Sequence, residues 1–220
     1  MKALLISLAL LISISTFADD KTTLNFPKKT SYDENFLLPS GFFNINYNLG
    51  WGVGDFKNFI SDVSYRGFSI DSRWFITNHF AVGGQLGWNG FYEKHPRKTY
   101  EFDGGAATGV ITTTFYNFTM TVDGYYYLMP EAMIKPFIGV HIGPEYQTIA
   151  IQFGRVYDED DSWQFIAAPE VGVFVQLGAD SDVGLNLAMK YNYIAFKNTD
   201  LGFDKGLSYW QGVMGLSFMF

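Results

Sequence analysis

The sequence predicts an all-β chain closed into an eight-stranded antiparallel transmembrane β-barrel, and three observations carry that expectation. Apolar and polar side chains alternate with a period of two through most of residues 41–220, the period of a strand whose successive side chains face opposite ways. The composition is 48% apolar and 19% aromatic but only 17% charged, below the ~25% usual for a soluble domain, so much apolar surface is destined for something other than water. Finally, the chain ends on such an alternating stretch, LSYWQGVMGLSFMF over residues 207–220. Counting back by twos from Phe220 gives Phe218, Leu216, Met214, Gly212 and Trp210 on one face. Met219, Ser217, Gly215, Val213, Gln211 and Tyr209 lie on the other.

The amino terminus carries an export signature. Lys2 precedes an apolar stretch over residues 3–17, and Thr16-Phe17-Ala18 offers a small-x-small cleavage site before Asp19 and Asp20. Residues 1–18 are therefore expected to be a signal peptide, too short and wrongly flanked for a membrane anchor. Its removal takes away Lys2 alone among charged groups, moving the formal charge from -7 to -8. That acidity argues against nucleic-acid binding, which needs basic patches. No cysteine is present, so no disulfide framework supports the fold. Residues 19–40 mix lysines, acids, Pro27 and Pro39 without a period, and are expected to form a periplasmic extension. Residues 41–220 are the expected barrel, and the mature chain has no apolar run near the ~20 residues of a spanning helix.

Within the barrel, the first strand sets Phe43, Ile45, Tyr47, Leu49, Trp51 and Val53 against Asn44, Asn46, Asn48 and Gly50, and residues 55–62 read as a loop. The second places Phe68, Ile70 and Trp74 opposite Ser69, Asp71 and Arg73, before a short turn at Thr77-Asn78-His79. The third has Phe80, Val82, Leu86, Trp88 and Tyr92 opposing Gly83, Gln85, Gly87 and Asn89. Residues 93–108 read as a longer polar loop. The fourth strand sets Phe118, Met120, Val122, Tyr126 and Leu128 against Asn117, Thr119, Thr121, Asp123 and Tyr125, with a turn around Pro130-Glu131. The fifth opposes Ile138, Val140, Ile142 and Tyr146 to Phe137, Gly139, His141, Gly143, Glu145 and Gln147. Residues 158–161 (DEDD) read as an acidic loop. The sixth puts Phe165, Val171, Val173, Val175 and Leu177 against Glu170, Gly172 and Gln176, and residues 178–182 turn tightly. The seventh pairs Leu185, Leu187, Met189, Tyr191 and Tyr193 against Asn186, Ala188, Lys190 and Asn192, and a loop over 198–205 leads to the closing strand. An even count with short turns alternating with longer loops is the pattern of an outer-membrane barrel, and closure removes the edges that lipid cannot hydrogen-bond.

Two features independent of the alternation agree with this placement. Amphipathic rings belong at the membrane interfaces. Trp51, Trp88, Tyr92, Trp163 and Trp210 fall at loop-side strand ends, Trp74 at a turn-side end, together forming an expected aromatic girdle. A Lys or Arg on the lipid face costs about 2–4 kcal/mol at mid-bilayer. The strand charges Asp71, Arg73, Asp123, Lys135, Glu145, Glu170 and Lys190, with His141, all occupy the inner register, and an eight-stranded lumen is just wide enough for side chains to fill. They are expected to form a polar, salt-bridged plug, with a narrow ion path as the alternative.

The alternating strands, the export signature and the closing GLSFMF resemble the small outer-membrane β-barrels of the OmpA-like and OmpX-like superfamily, over residues 41–220. In that resemblance Trp210, Leu216, Phe218 and Phe220 take the place of the carboxy-terminal assembly signal. The resemblance implies outer-membrane lipid, lipopolysaccharide and the barrel-assembly machinery as partners, a monomeric state, and no cofactor. The peptidoglycan-binding domain of full-length OmpA-type proteins has no counterpart, because the chain ends on its last strand.

The function expected is a structural or surface-interaction role through the outer loops, since loops on rigid scaffolds commonly carry recognition; a small passive channel is the alternative. A lipid A-modifying barrel enzyme is a third reading. The three histidines stand in NHF, KHPRK and VHIG, without the His-x-Ser pair of barrel deacylases, leaving His95 with Asp103 as the acyl-transfer candidate. No catalytic residue and no metal site is assigned. Residues 158–161 lack the spacing and glycine of a calcium loop. The basic cluster His95-Pro96-Arg97-Lys98 is a candidate contact for lipopolysaccharide phosphates.

Overall fold

A computed structural model describes residues 40–102, 105–178, 181–196 and 206–220, with the side chains of 100–102 left out. The expected signal peptide, nearly all of the amino-terminal extension, Asp103 and the 198–205 loop lie outside the described residues. The elements are β1 (Gly41–Val53), α1 (Asp55–Phe59), β2 (Gly67–Phe75), β3 (Phe80–Lys94), β4 (Lys98–Phe102), β5 (Gly105–Gly109), β6 (Ile111–Tyr127), β7 (Ile134–Phe153), β8 (Val156–Gln176), β9 (Val183–Ile194) and β10 (Leu207–Met219). Eight of them form a closed antiparallel barrel in the order β1-β10-β9-β8-β7-β6-β3-β2, while β4 and β5 pair in a separate hairpin.

The ring closes where β1 meets β10. Phe43 lies opposite Phe218, Ile45 opposite Leu216, Tyr47 opposite Met214 and Trp51 opposite Trp210, all on the outer face. The carboxy-terminal residue completes the seam: Gly41 N–H donates to the Phe220 carbonyl at 3.0 Å, and Phe220 N–H donates back to Gly41 at 3.1 Å. Parity decides every face. Along β1, Asn44, Asn46 and Asn48 are buried inside while Phe43, Ile45 and Tyr47 are exposed outside. Outward apolar side chains recur around the ring, among them Phe68, Val82, Phe118, Val122, Ile138, Val140, Ile142, Phe165, Val171, Leu187 and Met214.

The outward aromatics sit in two tiers. Trp74 and Phe80 flank the β2–β3 turn, with Phe80 against Tyr126 at 4.9 Å between ring centroids. On the loop side, Trp88 stacks on Tyr116, Trp163 meets Tyr146, Trp210 meets Tyr191, and Tyr92 lies under the Arg66 guanidinium. Leu216, Phe218 and Phe220 are exposed on the outer face of the closing strand.

Three segments differ from the loops the sequence suggests. Residues 55–62 contain the single-turn helix α1, entered through Gly54 at φ 57°, and its Phe56 is fully buried. Residues 93–108 are mostly strand, comprising the end of β3 and the β4–β5 hairpin. The acidic stretch 158–161 lies within β8, paired to residues 148–151 of β7, and the hairpin turns at Gly154, φ 59°. Polar composition suggested a loop in the last two cases, but a strand that rises into water on both faces needs no apolar alternation.

The lumen is filled in layers, with two apolar clusters at its ends. At the turn end Phe42, Ala81, Tyr125, Tyr127, Phe137 and Phe174 pack together, and Phe42 stacks on Phe174 at 4.6 Å. At the loop end Phe56 and Ile60, brought in by α1, pack with Phe91, Phe115, Ile149, Ile166, Ile194, Phe196, Leu207 and Tyr209. Phe56 meets Phe91 and Phe115 edge-on at 5.0 and 5.1 Å. The helix fits because Gly52 has no side chain: a Cβ there would lie 3.0 Å from Lys57 N and 3.1 Å from the Ile60 carbonyl. Gly52→Val should therefore dislodge α1 while leaving the barrel closed. The expected outcome is trypsin cleavage after Lys57 at protease levels that spare the wild type, with the compact mobility of unboiled protein on gels unchanged.

Candidate functional site

Between the two apolar clusters lies a polar interior built from inward residues of all eight barrel strands. Arg73 of β2 sits lowest. Its Nε donates to Asp71 Oδ1 at 2.7 Å and its Nη1 to the Tyr127 hydroxyl at 3.2 Å. The guanidinium carbon rests 4.0 Å from the Tyr125 ring centre and 4.6 Å from that of Phe137, so ring faces as well as a carboxylate offset its burial. Asp71 also accepts from Asn44 at 2.6 Å and Asn46 at 2.8 Å. The asparagine ladder of β1 is thus the hydrogen-bonding wall of this ion pair.

His141 of β7 forms the second centre. Its Nδ1 lies 2.8 Å from Asp123 Oδ1, and its Nε2 meets Glu170 Oε2 in a shorter contact. The imidazole is thus held between two carboxylates. Asp123 also accepts from the Thr121 hydroxyl at 2.7 Å. Lys190 lies within electrostatic reach of Asp123 and Glu170 and donates to Gln85 Oε1 at 2.6 Å. All of these groups are buried. An imidazole flanked by carboxylates, with an ammonium nearby, distributes charge where each isolated ion would cost several kcal/mol.

Above this lies an amide-rich layer. Asn89 donates to Asn117 Oδ1 at 3.2 Å, Asn117 to Glu145 Oε2 at 2.9 Å and to the Tyr209 hydroxyl at 3.0 Å. Gln211 joins Asn89 at 3.3 Å and Asn192 joins Gln211 at 3.0 Å. Glu145 belongs to this amide layer and not to an ion pair. Lys135 also stands apart from the salt-bridged plug expected of it. It precedes Phe137 on the inner face of β7, at the turn end, and its ammonium donates to the Ala132 carbonyl at 2.5 Å.

This arrangement fills space and neutralises charge. The layer of Phe42 and its partners closes over it at one end and that of Phe56 and its partners at the other, with the Tyr127 and Tyr209 hydroxyls joining each layer to the polar groups between.

The loop-side rim holds the remaining candidates. His95 Nδ1 lies 3.5 Å from Glu93 Oε1, and its Nε2 lies 3.4 Å from the Thr113 hydroxyl, both at the long limit of a hydrogen bond. Its expected partner Asp103 lies outside the described residues. Glu93 is also bound by the Ser61 backbone N–H and by the Ser61 hydroxyl, at 3.0 Å for the latter. Thr113 is only 3% exposed, so its hydroxyl is closed to a substrate carbonyl. The His95 cluster ties the β3 and β6 ends to the segment after α1. Arg97 and Lys98 are exposed. No cluster of three or more metal-ligating side chains occurs among the described residues, residues 158–161 included.

Sequence reasoning missed α1 and its two anchors. The usable signal was the spacing of Phe56, Phe59 and Ile60, which places all three on one face of a helical turn after Gly54. His141→Leu tests the middle layer. It would leave Asp123 and Glu170 buried with one shared partner fewer, at a cost of about 3–5 kcal/mol. The expected outcome is a large drop in the temperature at which unboiled protein loses compact mobility, partly reversed by adding Glu170→Gln.

No protein-family model matches this sequence, and no curated protein matches it. Solved structures do match. Ail, the attachment invasion locus protein of Yersinia pestis, superposes with a TM-score of 0.52 at 10% identity, over 83% of this chain and 99% of Ail. Neisserial surface protein A gives 0.53 at 14% identity, over 82% and 97%. Ail in complex with the heparin analogue sucrose octasulfate gives 0.50 at 11% identity, over 82% and 99%. At such identities the likeness concerns architecture, and it covers the whole ring: this chain has the fold of the small eight-stranded outer-membrane β-barrels.

Proposed function

We propose that the protein is an integral outer-membrane barrel that acts through its loop-side surface, as a surface-interaction protein, with the lumen as a structural plug. The carrying observation is the unequal height of the sheet. On one side of the ring β3, β6, β7 and β8 stay paired well past the end of β9, whose last partner on β8 is Ile166. Residues 156–165 of β8 therefore extend by about 33 Å of strand, at ~3.3 Å per residue. Beyond Phe165, this stretch pairs with β7 on one side and with none of the described strands on the other. A strand edge without a partner among the described residues is one that an added strand can extend.

The side chains there are Tyr157, Asp158, Glu159, Asp160 and Asp161, all exposed. Sucrose octasulfate on Ail is a polyanion; the acidic hairpin of this chain suits a partner of the opposite charge, an extended basic segment. Lipid on the outer face, lipopolysaccharide phosphates near Arg97 and Lys98, and the assembly machinery reading Trp210, Leu216, Phe218 and Phe220 complete the proposed partners. The ring is self-contained, consistent with a monomer. The filled lumen does not favour the passive-channel reading, and among the described residues the Thr113 hydroxyl beside His95 is buried.

Two measurements test this proposal. Purified protein in planar bilayers should be electrically silent, and should stay silent in a Phe56→Ala/Ile60→Ala variant because the turn-end cluster remains; stepwise conductance from the wild type would refute the plug. Replacing residues 150–159 by a short turn should preserve membrane fractionation and heat-dependent gel mobility. It should also abolish the binding of expressing cells to immobilised basic polypeptide; retained binding would remove the hairpin from the function.

A further inference from the structure

Glu145 stands apart from the other acids of the lumen. Asp71 has Arg73, and Asp123 and Glu170 share His141 with Lys190 in reach, so each of these three carboxylates has a basic side chain beside it. No cationic side chain among the described residues pairs with Glu145. The residue is fully buried, at 0% exposure. Its Oε2 accepts from Asn117 at 2.9 Å, but its Oε1 has no hydrogen-bond donor. Two positions along the same inner face of β7, Gln147 is also at 0% exposure. Its amide nitrogen donates to Ser162 Oγ at 3.2 Å, which leaves its Oε1 likewise without a donor.

Side chains at i and i+2 of a strand point the same way, with their Cα atoms ~6.6–6.8 Å apart, a span two flexible carboxyl and amide arms can close on one ion. Ile149 of the loop-end cluster follows on the same face of β7, and Asn117 joins Glu145 to the Tyr209 hydroxyl of that cluster; with the Glu145 and Gln147 side chains fully buried, bulk water does not screen the carboxylate. Burying an unpaired carboxylate costs far more than burying a compensated one.

We propose that Glu145 Oε1 and Gln147 Oε1 form a buried binding site for a single monovalent alkali cation. The ligands are oxygens only, which suits a hard cation. One carboxylate balances one positive charge; a divalent ion would leave a net charge buried in the same place. The site is independent of the surface role, because it lies beneath the loop-end cluster.

The test uses the mature protein folded into detergent micelles. The temperature at which compact gel mobility is lost is compared in sodium, potassium and choline chloride at equal ionic strength and pH. Wild type should gain about 4 °C or more in one alkali salt over choline, the size expected when a ligand is present well above its Kd. Glu145→Gln should abolish the difference. Gln147→Leu, which keeps the carboxylate, should shift the half-maximal salt concentration upward by about tenfold, and it decides the matter if Glu145→Gln fails to fold. Crystals soaked in rubidium chloride should show an anomalous peak beside Glu145 Oε1. Equal midpoints in all three salts would overturn the proposal, as would a salt effect that survives Glu145→Gln. A midpoint that follows pH but ignores cation identity would assign the positive charge to a proton and reject the alkali site.

Discussion

The structure depends on closing one seam. A strand in a non-hydrogen-bonding medium must find a partner on each side, and a sheet can do this for every strand only by becoming a ring. Here the first and last strands of the barrel meet, and the backbone groups of Phe220 are paired with those of Gly41, the first residue of β1. Once that seam exists, parity fixes the rest. Each odd residue of β1 faces outward beside an outward residue of β10, and each even one must be accommodated in the lumen.

Accommodation inside sets the second constraint. Eight strands leave room for side chains and little else, so the interior is a packing problem with a charge condition attached. This chain meets it by stacking: rings at the turn end, ion pairs in the middle, amides above them, and rings again under α1. Arg73 touches both of the lower layers at once, holding Asp71 through Nε and lying over Tyr125 and Phe137. Aromatic layers at both ends keep water from the charges and so raise the cost of any unpaired one.

The rim is shaped by strand length. The barrel wall is uneven because β7 and β8 are 20 and 21 residues long while β9 has only 12. The excess leaves the ring as a ribbon with acids on both faces, soluble and unable to bury itself against a neighbour. A long edge strand is a hazard in most proteins, and charged side chains are the usual protection against indiscriminate pairing. Acidic residues on this stretch discourage pairing with like edges by charge repulsion.

The parity of apolar residues made the eight-strand ring legible without coordinates. Phe43-Asn44-Ile45-Asn46-Tyr47 is unambiguous, because a one-residue slip would expose both asparagines to lipid and bury the rings. Parity also assigns Asp71, Glu145 and Lys190 to a face. It cannot say which of them touch, since contacts across the lumen join residues as distant as Lys190 and Gln85 and depend on strand stagger and side-chain height. Lys135 and Glu145 have the same parity as the ion-paired residues, yet one ties down a turn and the other sits among amides. Where strands rise into water the alternation lapses, so residues 158–161 and 98–109 carried no signal of their own pairing. The five-residue α1 was too short for any helical period to stand out, and only the apolar hollow at the mouth of the ring gives Phe56 and Ile60 a reason to fold inward. The sequence by itself determined the ring, its closing seam and the face of each strand residue, because these follow from local periodicity. Tertiary structure alone decided the partners of each buried charge, the layering of the lumen and the height of the acidic ribbon, because these arise where distant strands meet.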